Sequence, residues 1–80
     1  MTHREKLLAF LDTIRRPDRA LDVDEREGLV RSGLIDSLAL LEIITWLESE
    51  YGIDFAERGL TAADVTSIAG ILEIIESRQS

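Results

Sequence analysis

Apolar residues in this chain recur at steps of three and four, and nowhere do they alternate over a stretch long enough for a strand. Leu7, Leu8, Leu11 and Ile14 make one stripe, with Phe10 beside them. Leu40, Ile43, Ile44, Leu47 and Tyr51 make a second, and Ile68, Ile71, Leu72 and Ile75 a third. Such spacing puts each set on one face of a helix. Helices that are apolar on one side must bury that side against one another. A chain of 80 residues has room for one domain. The pattern therefore predicts a single all-α domain over 1–80, a four-helix bundle with three main helices, a short third helix and a long first loop.

The boundaries follow from capping chemistry. Thr2 and Glu5 fit a capping box, and Pro17 disfavours the α conformation at Arg16, so helix one is expected over 3–16. Asp36 is a good N-cap and Gly52 a good C′ residue, which puts helix two at about 37–51. Ile53, Phe55 and Leu60 should tuck the next loop into the core. Thr61 and Asp64 start a short third helix at about 61–65, and Thr66 reads as a fresh N-cap for helix four at about 67–78. The connection over 17–35 is long. Its apolar residues, among them Leu21, Leu29, Leu34 and Ile35, predict a segment pinned across the bundle, with room for a short helical turn around 24–31.

Composition removes several function classes. There is no Cys, hence no disulfide, thiolate metal site or cysteine nucleophile. The one His, at position 3, excludes a multi-histidine metal cluster. The net charge of −7 argues against a nucleic-acid partner, which needs a basic patch. No apolar run approaches the roughly 20 residues of a membrane span, and the N-terminus has no h-region of a signal peptide. A cytoplasmic protein without membrane insertion is expected. Residues 1–31 are balanced, seven bases against seven acids, whereas residues 32–80 hold two bases against nine acids. The whole net charge sits in that second part, either as a merely solvated surface or as a field that steers basic partners.

Ser37 draws attention because it opens a helix directly after the long loop. A helix N-terminus favours a negatively charged group on or near it, so the position could carry a phosphate ester. Asp36 and Ser37 could equally do no more than cap helix two. Leu38, Leu41, Glu42, Thr45, Glu48 and Ser49 form a mixed aliphatic and acidic stripe on helix two. Leu38 and Leu41 offer either an apolar anchor for a partner or packing for the first loop. Trp46, at the border of the helix, either fills a surface seam or covers a cavity.

The stretch Leu29-Val30-Arg31-Ser32-Gly33-Leu34-Ile35-Asp36-Ser37-Leu38, with Leu41-Glu42 after it and Glu48-x-Glu50-Tyr51-Gly52-Ile53 closing the helix, resembles the acyl carrier protein family. So do the acidic charge, the long first loop and Asp64-Val65-Thr66-Ser67-Ile68. Gly33 stands three residues before Asp36, and this Gly-Leu-Ile-Asp-Ser pattern is similar to D-alanyl and other dedicated stand-alone carriers rather than to fatty-acid-type ones.

The resemblance implies a carrier, not an enzyme. Ser37 would hold a covalent 4′-phosphopantetheine arm, attached by a phosphopantetheinyl transferase from coenzyme A with magnesium, with Asp36 and Leu38 flanking the attachment. Acyl or aminoacyl intermediates would ride on the arm as thioesters, in lipid, polyketide, peptide or cell-wall chemistry. The prosthetic group brings the sulfur the chain lacks, and the transferase brings the base that Ser37 lacks. Leu38, Leu41, Glu42, Thr45 and Glu48 would meet loading ligases, synthases and transferases through basic patches. No catalytic or metal-ligating residue is assigned, and a monomer is expected. Two other classes remain open on the residues alone. One is an unmodified helical interaction module using the acidic face of helix two. The other is a hydrolase pairing Ser37 with His3.

Overall fold

The computed structural model describes residues 2–77. It contains α1 (His3–Ile14), α2 (Ala39–Tyr51), the one-turn α3 (Phe55–Arg58), a 3₁₀ turn (Ala62–Val65) and α4 (Ile68–Ser77). The all-α bundle of three main helices stands as the periodicity predicts, and there is no strand among the described residues.

The capping box of α1 forms. Thr2 Oγ1 accepts from the Glu5 amide at 3.1 Å, and the Glu5 carboxylate accepts from the Thr2 amide at 3.0 Å. The helix ends at Ile14, two residues earlier than expected, because Arg15 is already extended (φ −66°, ψ 156°). Arg16 then spends its amide on the Leu34 carbonyl at 2.8 Å, which joins the end of α1 to the far end of the loop.

The long loop is pinned. Leu29, Leu34 and Ile35 are buried, while Leu21 and Val23 pack on the core at its edge. Two backbone bonds tie it to the start of α4: Leu29 N–H to the Thr66 carbonyl (2.7 Å) and Ala69 N–H to the Glu25 carbonyl (2.8 Å). The segment 24–31, which has room for a helical turn, does not form a helix. Separate turns take its place, since these long-range bonds claim backbone groups that a helix would need internally.

The region after α2 holds more structure than expected. Residues 55–58 form α3, capped by Asp54 (Oδ1 to the Glu57 amide, 3.0 Å) and closed by Gly59 at φ 68°. The short third element expected at 61–65 is a 3₁₀ turn with its Thr61/Asp64 capping box in place. Thr66 does not cap α4; its hydroxyl donates back to the Ala63 carbonyl, and Ser67 Oγ accepts from the Gly70 amide at 3.1 Å. The expected last residue of helix four, Arg78, lies outside the described residues.

The core is wholly apolar, with Leu7, Leu11, Ile43, Leu47, Ile71 and Ile75 fully buried at its centre. Two stripes differ slightly from expectation. Ala39 is buried where Leu40 and Ile44 are only half-buried, and Ile74 is buried where Leu72 is half-buried. None of the described helices is long and apolar enough to cross a membrane.

Candidate functional site

The start of α2 is built from its flanks inward. Ile35 is 0% exposed and Ala39 only 6%, so the chain is anchored in the core on both sides of a three-residue stretch. Asp36, Ser37 and Leu38 between them are all exposed. Upstream, Gly33 turns the loop at φ 82°, a conformation that favours glycine, with the Arg19 guanidinium lying over it.

Ser37 and Leu38 do not lie inside the α-helix as expected. The chain passes Asp36, Ser37 and Leu38 as a tight turn before α2 begins at Ala39, with i→i+3 bonds from Ala39, Leu40 and Leu41 N–H to the carbonyls of Asp36, Ser37 and Leu38 at 3.1–3.3 Å. Such i→i+3 bonds commonly tighten helix ends. Asp36 still caps the helix as expected: its Oδ1 accepts from the Ala39 amide at 3.0 Å. The Ser37 hydroxyl has no hydrogen-bond partner among the described residues.

The other singled-out residues gather on the same side. Leu38 is 72% exposed and Leu41 59%, so neither packs under the first loop. Glu42, Thr45 and Glu48 are exposed too. The two glutamates form no ion pair among the described residues; the ion pairs lie elsewhere, Arg4 with Glu25, Lys6 with Glu50 and Arg15 with Asp12. Thr45 Oγ1 donates to the Leu41 carbonyl at 2.9 Å, so its hydroxyl is spent on the helix.

Trp46 fills the seam between α1 and α2. It stacks on Phe10 with centroids 4.6 Å apart, and Tyr51 meets it edge-on at 5.6 Å. The two stacked rings, with Leu41, Glu42, Thr45 and Ser49, line a shallow groove of about 480 Å³. Of the two roles the sequence leaves open for Trp46, seam or cavity cover, it fills the seam and also lines this groove; nothing local in the sequence pairs Phe10 with Trp46.

His3 sits at the other end of the molecule from Ser37. Its Nδ1 is 3.3 Å from the Tyr51 hydroxyl, at the last residue of α2. The 13 residues of that helix span roughly 18 Å at about 1.5 Å per residue. A Ser37–His3 hydrolytic pair is therefore ruled out by geometry.

An unbonded serine hydroxyl in solvent, held rigidly at a helix start, is what an incoming phosphoryl group requires. Residues 8–75 match the family model described as phosphopantetheine attachment site. The chain belongs to that family. A curated relative, the polyketide-8 synthase acyl carrier protein 2 of Streptomyces avermitilis, is 46% identical over 44 residues, which is 55% of this chain and 48% of the relative. The match thus spans about half the length of that relative. No solved structure matches the chain significantly. Phosphopantetheine attachment fits the residues present: Ser37 offers an accessible oxygen, and neither neighbour walls it in.

Proposed function

We propose that residues 1–80 form one carrier domain whose Ser37 bears the 4′-phosphopantetheine arm and presents acyl or aminoacyl groups to partner enzymes. The support is one observation: an exposed serine hydroxyl without a hydrogen-bond partner, fixed between buried Ile35 and Ala39 at the start of α2. When bound, the arm supplies the thiol on which cargo is held as a thioester.

The chain's own residues do the rest. Ser37 Oγ would attack the pyrophosphate of coenzyme A and become the ester oxygen of the phosphodiester as the P–O–P bond breaks and adenosine 3′,5′-bisphosphate leaves, with the serine proton passing to a base of the transferase. Asp36 holds the turn by capping α2, and Leu38 flanks the attachment as an exposed apolar side chain. Leu38, Leu41, Glu42, Thr45 and Glu48 form the docking face. The two leucines anchor, and the acids draw in basic patches on loading ligases, synthases and the transferase. Exposed acids contribute only about 0–1 kcal/mol each. The contacts are therefore brief, as delivery between enzymes demands. Loading from coenzyme A would take place in the cytoplasm, and no described helix is long and apolar enough to cross a membrane.

Intact-mass measurement tests the assignment. Incubated with coenzyme A, magnesium and a broad-specificity phosphopantetheinyl transferase, the wild-type chain gains the mass of one arm and Ser37→Ala gains none. An equal gain on Ser37→Ala would move the attachment elsewhere. No gain on either would leave an unmodified interaction module.

A further inference from the structure

We propose that Arg19, on the long loop, pairs with the phosphodiester once the arm is attached to Ser37, and holds the root of the arm on the loop side of α2. The inference rests on the carrier reading and adds a positioning residue to it.

The case begins with charge. A phosphodiester brings a full negative charge to Ser37. The exposed Asp36 carboxylate stands next to it, and the exposed Glu42 follows on α2. The only base among residues 32–77 is Arg58. It lies in α3, beyond the far end of α2, and donates to the Ser77 hydroxyl at 2.6 Å. A counter-charge must therefore come from the first part of the chain.

Arg19 is placed to supply it. The bond from the Arg16 amide to the Leu34 carbonyl brings the start of the loop against its end, and the Arg19 amide closes a turn on the Arg16 carbonyl at 3.1 Å. The Arg15 guanidinium donates to the Arg19 carbonyl at 2.6 Å, which fixes the backbone there. The Arg19 guanidinium comes to rest over Gly33, its nearest nitrogen 3.3 Å from where a Cβ on that glycine would sit. Four residues of chain span at most about 14 Å, so Ser37 lies within that distance of Gly33. Arg19 is exposed and, unlike Arg4, Lys6 and Arg15, has no carboxylate partner among the described residues. Asp18 and Asp22 line the same recess as Arg19 without pairing with it. The planar fork of a guanidinium matches two phosphate oxygens. Exposed ion pairs add little stability. The consequence is one of direction: the arm leaves Ser37 toward the loop and away from Glu42.

Phosphorus NMR of the arm-bearing chain tests the pairing, after intact mass has verified one arm on every variant. Arg19→Gln is compared with Arg26→Gln, which removes the same charge from the same loop but lines a recess with Gly28 and Arg31 instead. At low ionic strength, Arg19→Gln is expected to move the phosphodiester resonance and Arg26→Gln to leave it in place. Arg19→Lys should restore most of the wild-type position. In the wild-type chain, the Arg19 Nε–H signal should shift on arm attachment, and salt at about 1 M, where the Debye length is about 3 Å, should abolish that shift. Were Arg19 only a brace over Gly33, its Nε–H would ignore the arm. An Nε–H signal that ignores the arm overturns the assignment, as do equal phosphorus positions in wild type and Arg19→Gln, or equal displacements in Arg19→Gln and Arg26→Gln. Absence of any mass gain on the wild-type chain is a different failure: it removes the carrier reading, and the role of Arg19 with it.

Discussion

Phe10 and Trp46 lie face to face across the α1–α2 seam, with centroids 4.6 Å apart and planes only 5° from parallel. Tyr51 extends the cluster edge-on to Trp46, and His3 meets Tyr51 in turn at 5.5 Å. Both stacked rings are half-buried, so each buries less area than a core aromatic. Their mutual contact should nevertheless show as coupling. A double-mutant cycle of Phe10→Ala and Trp46→Ala, followed by circular dichroism in urea, is expected to give an interaction of about 0.5–1.5 kcal/mol. Strict additivity would mean that the rings are merely neighbours.

Asp36 gives a second prediction. Its side chain and its carbonyl both take the Ala39 amide, at 3.0 and 3.2 Å. Loss of the carboxylate leaves the weaker backbone bond in place, so the cost should fall at the low end of the range for cap removal. Asp36→Ala is expected to lose about 0.5–1 kcal/mol in a urea titration, and Asp36→Asn only a few tenths. A loss well above that range would show that Asp36 does more than cap α2.

The legible parts of this fold were those encoded locally. The periods of Leu7/Leu11, Ile43/Leu47 and Ile71/Ile75 marked the three main helices, and Thr2/Glu5 and Thr61/Asp64 marked two starts. Helix α3 was missed although Asp54, Glu57 and Gly59 carry a cap at each end, because four residues are too few to display a period. The tight turn that holds Ser37 and Leu38 just outside α2 was not legible either. A choice between i→i+3 and i→i+4 bonding leaves no compositional trace. In the long loop, the backbone bonds of Glu25 and Leu29 to residues at the start of α4 decided the conformation, and such partners lie far away in sequence. The site followed the same rule: Ser37 could be located from its motif, but its exposure depends on burying Ile35 and Ala39 on either side.

Gly70 sets helix propensity against packing. It lies within α4, where alanine is favoured over glycine by about 1 kcal/mol. A Cβ there would stand 2.8 Å from the Asp64 carbonyl oxygen. That oxygen belongs to the 3₁₀ turn, which is held by the bond from the Thr61 amide to the Asp64 carboxylate at 2.8 Å. Backbone fixed in this way cannot yield cheaply, and overpacking costs about 1–3 kcal/mol. Packing should win, so Gly70→Ala is expected to lower the urea midpoint by a net loss of up to about 2 kcal/mol. A raised midpoint would show that α4 can slide away from the turn.

Two neighbouring residues on α1 should shape opposite limbs of the pH–stability profile. The backbone amide of Thr2, and then its side chain, hold the Glu5 carboxyl below its ordinary range. A carboxyl depressed by folding adds stability above its unfolded pKa and loses it as pH falls through the folded value. The hydrogen bond from Lys6 to Glu50, at 2.7 Å, raises the Lys6 ammonium above its ordinary range, with the charges of Glu50 and Tyr51 adding to it and burial opposing it. That contribution is complete below the unfolded lysine pKa and disappears as pH rises through the folded one. Glu5→Gln should therefore flatten the acid limb and leave the neutral plateau nearly unchanged, because glutamine also completes a capping box. Lys6→Met should flatten the alkaline limb. Both groups are solvent-facing, so the effects are small and best read as Tm differences from wild type at low ionic strength. The difference matters more than the absolute profile. Acidification also relieves the self-repulsion of a chain with net charge −7, which pushes stability the other way in wild type and variant alike. An acid limb that is identical in wild type and Glu5→Gln would show that the capping box is not held in solution.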